Sequence, residues 1–418
     1  MSKKNSGPQY AFRLRDAVIG GQMLFVAFGA LVMVPLLTGL NSNVALFTAG
    51  VGTLLFQLVT KRQVPVFLAS SFAFIGPICY GTATWGVATT MGSLAVAGLA
   101  YVALSGLIKI RGIAFIERLL PPVVTGPVIM VIGLTLAPLA VGMAYGRDGN
   151  GIAVIPQNTA LIVSGIALLV TVFVTLRGKG LLRLLPILCG VTCSYLAALY
   201  FGLVDFQVVI DAPWFAIPNF TAPQFQLSAI LYMLPVMIAP AIEHFGDILA
   251  IGSVTGQDYL EEPGVHRTIL GDGIATSMAA LLGGPPNTTY SEVTGAVALT
   301  RITNPGIMTW AALVAICLAF IGKIGAALQT VPVPVMGGIM VLLFGTIAVV
   351  GLNTLVRSGD DLLKPRNLVI VSLVLVSGLG GMELDMGLVV LSGVSLAGVL
   401  GVGLNVILPR AVNVEDRV

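Results

Sequence analysis

The sequence predicts an all-α polytopic membrane protein. It has fourteen transmembrane segments in a 7+7 inverted repeat, with two short antiparallel strands and half-helices at segments three and ten. Three observations carry this. Of 418 residues, 57% are hydrophobic and 9% charged, with a mean hydropathy of +1.00, whereas a soluble domain carries roughly 25% charged residues. The apolar residues fall into runs of membrane-crossing length. Two carboxylates, Glu243 and Glu292, sit inside runs that otherwise read as spans.

A span needs roughly 20 apolar residues. Twelve runs read as clear segments: 17–37, 44–60, 91–110, 121–141, 159–176, 184–203, 230–251, 268–282, 306–328, 335–352, 367–379 and 387–408. Two more, 66–80 and 287–300, are short and rich in Ser, Thr and Gly. The 50 glycines and 23 prolines suit membrane helices, where neighbouring side chains re-satisfy freed backbone groups. With the N-terminus cytoplasmic, 19 of the 21 Lys and Arg residues fall on the cytoplasmic side, Arg147 and Lys323 being the exceptions. This bias predicts a multi-pass protein of the cell inner (cytoplasmic) membrane with both termini cytoplasmic. The first span is too long for a signal peptide.

Several chemistries find no support. Cys79, Cys189, Cys193 and Cys317 lie in apolar runs without a CxxC pair and read as small buried hydrophobes. Two histidines are too few for a His-based metal site, and no phosphate-binding GxxxxGK[ST] loop is present. The expectation is a non-enzyme with no metal, no nucleic-acid partner and no cofactor, a proton serving as coupling ion and the lipid bilayer as surroundings.

The two aberrant segments occupy the third position of each half. Short, Gly/Pro-interrupted segments at matching positions are the sequence sign of a transporter binding site. Each has a proline, a short extended stretch, a serine and a helical run, which predicts a strand leading into a half-helix. Ser70 or Ser71, and Ser291, are candidate N-caps. Free N–H groups at such helix starts face whatever lies mid-membrane. Extended backbone at that depth must be paired within the protein, and pairing the two strands with each other meets the need. Irregular loops are the alternative, but Glu292 lies in an apolar run that a solvated loop does not require. An ionisable group at membrane depth costs several kcal/mol unless paired, hydrated or protonated. Keeping Glu243 and Glu292, with Asp247 and Asp272 nearby, indicates handling of a polar solute or a proton.

These residues resemble the nucleobase–ascorbate transporter family, most closely its bacterial uracil permeases. Glu292-Val293-Thr294-Gly295 with Thr300-Arg301 matches the family's tenth-segment motif, except that Val293 replaces an Asn. Pro286-Asn287-Thr288-Thr289-Tyr290 matches the stretch before it. Glu243-His244 with Gly246, Ser70-Ser71-Phe72-Ala73-Phe74, and Pro334-Val335-Met336-Gly337-Gly338 match further motifs in order. The resemblance implies a core domain of residues 1–114 (segments 1–4) and 228–328 (segments 8–11). It also implies a gate domain of 115–227 (segments 5–7) and 329–418 (segments 12–14), with possible homodimers through the gate. The chain departs from the family in having Gln22-Met23 where Gln-His is common, Asp247 where some uracil permeases have His, and Phe344 where a Tyr can occur.

Uracil has two N–H donors and two carbonyls on a flat ring, so its site needs acceptors, backbone donors and an aromatic or apolar floor. The implied binding set is Glu243, Glu292, Phe72, Tyr290, Ser291 and Ser71. The glutamates accept from the ring, and the backbone near Phe72, Tyr290 and Ser291 donates to it. The implied proton-coupling set is Glu292, Glu243, Asp272, Asp247 and His244, giving uracil:proton symport by alternating access. For Glu243 the alternative is a structural bond to His244, and for Asp272 a helix-capping turn. Gln22 is expected to orient core groups, and Trp85 and Trp214 to anchor at the membrane interface. Rival functions are a purine permease (xanthine, urate or hypoxanthine) on the same scaffold, an anion carrier, a channel and an intramembrane enzyme. Two buried carboxylates argue against the anion carrier.

Overall fold

Helices dominate the computed structural model, which describes residues 10–149, 151–387 and 390–409. Lys3, Lys4, Arg410 and Arg417 of the basic set lie outside the described residues. The first half runs α1 (Ala17–Thr38), α2 (Ser42–Val59), β1 (Leu68–Ser70), α3 (Ile75–Trp85), α4 (Val87–Arg111), α5 (Ile113–Leu119), α6 (Pro122–Thr135), α7 (Ala137–Ala144), α8 (Gln157–Arg177), α9 (Pro186–Tyr200) and α10 (Gln207–Asp211). The second runs α11 (Leu227–Met233), α12 (Ile238–Thr255), α13 (Val265–Leu281), β2 (Asn287–Thr289), α14 (Ser291–Thr300), α15 (Gly306–Ala319), α16 (Gly322–Gln329), α17 (Val333–Ser358), α18 (Pro365–Leu379), β3 (Glu383–Asp385), β4 (Val390–Ser392) and α19 (Gly393–Ile407). Among the described residues, seven helical stretches are long and apolar enough to cross a bilayer, and four shorter apolar helices accompany them.

Local chemistry explains the turns that matter. Gly39 takes φ +72° to end α1, and Asn41 then caps α2 by accepting from the N–H groups of Asn43 and Val44. The helices pack through small residues, as expected where lipid supplies no hydrophobic drive. On the α4–α13 contact, a Cβ added at Gly98 would strike Ser277, and one at Gly273 would strike Tyr101.

The two broken segments meet as anticipated. β1 and β2 pair antiparallel, with Leu68 opposite Thr289, Ala69 opposite Thr288 and Ser70 opposite Asn287. Ser71 N–H extends the pairing to the Pro286 carbonyl at 2.8 Å. A two-stranded ribbon leaves both outer edges unpaired, and helix side chains fill them. Thr53 of α2 donates to the Leu68 carbonyl and accepts from the Leu68 N–H. Thr276 of α13 donates to the Asn287 carbonyl, the Ser70 hydroxyl to the Leu31 carbonyl, and the Asn287 amide to the Thr48 carbonyl. The ribbon is thereby fixed to α1, α2 and α13.

Four expectations change. The serines are not side-chain caps. The Ser70 hydroxyl is spent on α1, and Ser71 precedes a 3-10 turn (Phe72–Phe74) with a buried, unpartnered hydroxyl. Tyr290, not Ser291, is the N-cap residue of α14. The run 387–408 is not one helix, because β4 pairs with β3 and the reciprocal Ser392/Ser395 box starts α19 only at Gly393. The run 306–328 breaks at Phe320–Ile321, where the Ala216 N–H donates to the Phe320 carbonyl and the Gly322 N–H to the Trp214 carbonyl. Cys193 and Cys317 are exposed rather than buried. A small apolar side chain loses nothing by facing hydrocarbon.

Thr53→Val should orphan one backbone N–H and one C=O at membrane depth, each worth about 1–3 kcal/mol. A melting temperature in detergent several degrees below that of Thr53→Ser is expected. Equal melting of the two variants would show that the edge bonds carry no stability.

Candidate functional site

Period-2 alternation along β2 builds the polar centre. Adjacent strand residues point to opposite faces, so neighbouring threonines reach different helices. Thr288 donates to Asp272 of α13 at 3.1 Å, and Thr289 donates to Asp247 of α12 at 2.9 Å. Ser291, in the first turn of α14, donates to the other Asp247 oxygen. Asp272, 1% exposed, lies within α13 and is no helix cap. His244, one residue after Glu243, therefore projects about 100° around α12. It faces Asp272, Nδ1 to Oδ2 3.3 Å, and not Glu243. That approach is ion-pair distance without hydrogen-bond alignment, and both His244 ring nitrogens lack a hydrogen-bond partner.

Glu243 and Asp247 are four residues apart on one face of α12. Glu243 lies within electrostatic reach of Asp247, Glu292 and Asp272, acids carried by three helices. Glu243 Oε2 is buried without a partner, as is Asp272 Oδ1. Glu292 sits in the first turn of α14, where free N–H groups and the helix dipole favour negative charge. Its carboxylate accepts from its own backbone N–H.

Three aromatic rings form a layer beside these acids. Phe72 and Tyr290 are near-parallel, centroids 6.2 Å apart and planes at 12°, and Phe344 meets Phe72 edge-on at 6.1 Å. The Tyr290 hydroxyl donates to the Ser70 carbonyl at 2.6 Å, which ties the start of α14 to β1. A flat ring between two others needs about 7 Å, twice a roughly 3.5 Å contact. The Phe72–Tyr290 gap is therefore shut in this structure.

Three cavities adjoin residues of the site. One, of about 190 Å³, exposes Glu292 beside Phe25, Arg183 and Pro186. It adjoins another of about 350 Å³ that shares Arg183, Leu184 and Leu299 and reaches Gln22 and Thr300. At the opposite end of the bundle a third, of about 230 Å³, is bounded by Phe72, Tyr80, Thr135 and Tyr232.

The structure thus brings Glu243, Asp247, Asp272, His244, Ser291 and Glu292 together, with Phe72 and Tyr290 alongside. Gln22 lines a cavity with Thr300. Trp85 packs on Tyr80 and Tyr232 in an aromatic cluster, whereas Trp214 is 75% exposed beneath Lys323. Sequence reasoning missed Thr288 and Thr289 as carboxylate partners, and strand alternation was the available signal. It also missed Arg183 as a cavity wall. Among the described residues no group of three or more His, Cys, Asp and Glu is arranged to hold a metal ion.

Comparison with known proteins follows the same line. The Permease family model (Xan_ur_permease) matches residues 15–387. A "Probable uracil permease" of Haemophilus influenzae is 58% identical over 401 residues, 96% of this chain and 96% of that protein. The "Uracil permease" of Bacillus subtilis is 44% identical over 398 residues, covering 93% and 92%. Among solved structures, the transmembrane domain of a cyanobacterium bicarbonate transporter, BicA, superposes with TM-score 0.62 at 16% identity, over 96% of this chain and 99% of that one. Murine Solute Carrier 26 family member A9, an anion transporter in the inward-facing state, gives 0.68 at 12% identity, over 97% and 69%.

The Asp247–Thr289 bond predicts a coupled pair. In a double-mutant cycle of Asp247→Asn and Thr289→Val, read as unfolding free energy in detergent, a coupling of about 0.5–3 kcal/mol is expected. Strict additivity would mean that the bond does not hold β2 to α12.

Proposed function

The chain belongs to the nucleobase–ascorbate transporter family, and on that premise we propose that it imports uracil by proton symport with alternating access. A permease moves its solute unchanged, so the chain is a transporter and not an enzyme. The observation that carries the uracil reading is the convergence of Glu243 and Glu292 beside the free N–H groups of α14 and an aromatic wall. Carboxylate oxygens accept from both ring N–H groups, backbone N–H groups of the helix starts donate to the ring carbonyls, and Phe72 or Tyr290 covers a face. With the rings of Phe72 and Tyr290 together, the heterocycle leaves Glu292 through the cavity that Arg183 borders.

Asp247 and Asp272 have neighbours that hold them in position, Thr289 and Ser291 for one, Thr288 and His244 for the other. Glu243 retains an unpartnered oxygen. That free oxygen and Glu292 serve as the substrate-facing acceptors, while the aspartates and His244 hold and pass the proton. A proton taken up with uracil removes one of the charges that are expensive at this depth.

Packing supports the fourteen-segment inverted repeat. α2 against α15 and α4 against α13 are exchanged by the operation that relates the halves, and α6 against α17 maps onto itself. β1–α3 and β2–α14 are likewise equivalent strand-to-helix units. Residues 1–114 and 228–328 then form the core and 115–227 and 329–418 the gate, which rock against one another about the aromatic layer. Both termini are cytoplasmic, and two copies pair through the gate.

Purified protein should bind uracil, and Glu243→Gln and Glu292→Gln should each abolish high-affinity binding and proteoliposome uptake while remaining folded. Uptake at the wild-type rate by the Glu292 variant would remove that residue from the mechanism. Unlabelled xanthine should compete with labelled uracil far less well than uracil itself. Equal competition would make the chain a purine carrier.

A further inference from the structure

Beyond the acids, the cavity on the far side of Phe72 has no assigned role. Its walls come from the two parts that alternating access moves: α3 on one side, α6 and the β4–α19 corner on the other, with Tyr232 of α11 closing the end. Resting on the uracil reading above, we propose that this cavity is a second, outer binding site for the same flat neutral heterocycle, occupied before it passes Phe72 to the acids.

Four features shape the cavity for such a ring. At about 230 Å³ it is smaller than the roughly 300–1,000 Å³ of sites for drug-sized ligands. No charged side chain lines it, so it favours a neutral solute over an anion or cation. Its flank is aromatic: Tyr80 stacks on Tyr232 with centroids 4.7 Å apart and planes at 27°, and the outer face of Tyr80 remains open, the residue being 43% exposed. Hydroxyls surround it at Tyr80, Tyr232 and Thr135. Thr135 donates to the Val131 carbonyl in its own helix and so keeps lone pairs for a ligand N–H.

The wall opposite α6 is cut back to backbone at Gly76. A Cβ there meets nothing within 4 Å, so packing of α3 does not demand glycine. The missing side chain leaves a slot between Phe72 and Tyr80, one helical turn either side of it. Phe72 is common to both sites. Its ring contacts Tyr290 on the acid side and lines the outer cavity on the other, so movement of one ring passes a stacked heterocycle between them.

Saturation-transfer NMR with uracil separates the sites, using wild-type protein, Glu292→Gln, and Glu292→Gln combined with Gly76→Val or Tyr80→Ala. Glu292→Gln should keep a weak, saturable uracil contact, and either added change should erase it. In an otherwise wild-type background, Gly76→Ala and Thr135→Val should leave the equilibrium Kd within about twofold, because the acid site is intact. The KM for uptake should rise about threefold to tenfold, the worth of one stacking or hydrogen-bond contact. Uracil contact with wild type but none with Glu292→Gln, or an unchanged KM in both single variants, would overturn the outer site alone. A wild-type protein that contacts no uracil would overturn the substrate reading and this inference with it.

Discussion

Backbone that leaves helical geometry inside a bilayer has no water to bond, and each unsatisfied group costs several kcal/mol. The architecture of this protein turns on how it meets that demand at β1 and β2. The strands satisfy each other along their inner edge, Thr53 and Thr276 of flanking helices bond Leu68 and the Asn287 carbonyl, and the Tyr290 hydroxyl takes the Ser70 carbonyl. Thr53 serves both the carbonyl and the N–H of Leu68. Once the ribbon is fixed, α14 has to start beside β1, because Tyr290 both ends the strand and bonds the Ser70 carbonyl. The location of Glu292 follows from that.

The same ribbon organises the acids. Strand alternation sends Thr288 and Thr289 to different helices, and each meets an aspartate. The negative groups are therefore held apart by neutral hydroxyls instead of being neutralised by lysine or arginine. A site built this way suits a neutral ring with N–H donors. The fold is shared with bicarbonate and other anion transporters, which shows that scaffold does not determine cargo. In this chain α14 carries a carboxylate, Glu292, in its first turn.

The aromatic layer of Phe72, Tyr290 and Phe344 divides the polar path. Aromatic rings change orientation without giving up a hydrogen bond, apart from the Tyr290 hydroxyl, so they can open at little polar cost. Phe72 borders one cavity and Glu292 lines another.

Membrane residence, the two broken segments and the strand pairing were legible in the linear sequence, each for a local reason. Apolar runs have a length that only a bilayer explains. A Pro–strand–Ser pattern at matching positions marks a helix that cannot run through. A glutamate in an apolar run is too expensive to be incidental. The rest depended on residues remote in sequence. Ser71 and Ser291 read as caps because their local pattern fits, yet Ser291 is recruited by Asp247, 44 positions earlier. His244 adjoins Glu243 in sequence, but helix geometry turns it to Asp272. The break before α19 hides in an unbroken apolar run because strand and helix both accept such residues when buried. Arg183 carries no sequence mark of a site, since only the meeting of distant segments gives it a cavity to line. Local chemistry fixes which groups must be satisfied at membrane depth. The three-dimensional chain decides which partners satisfy them.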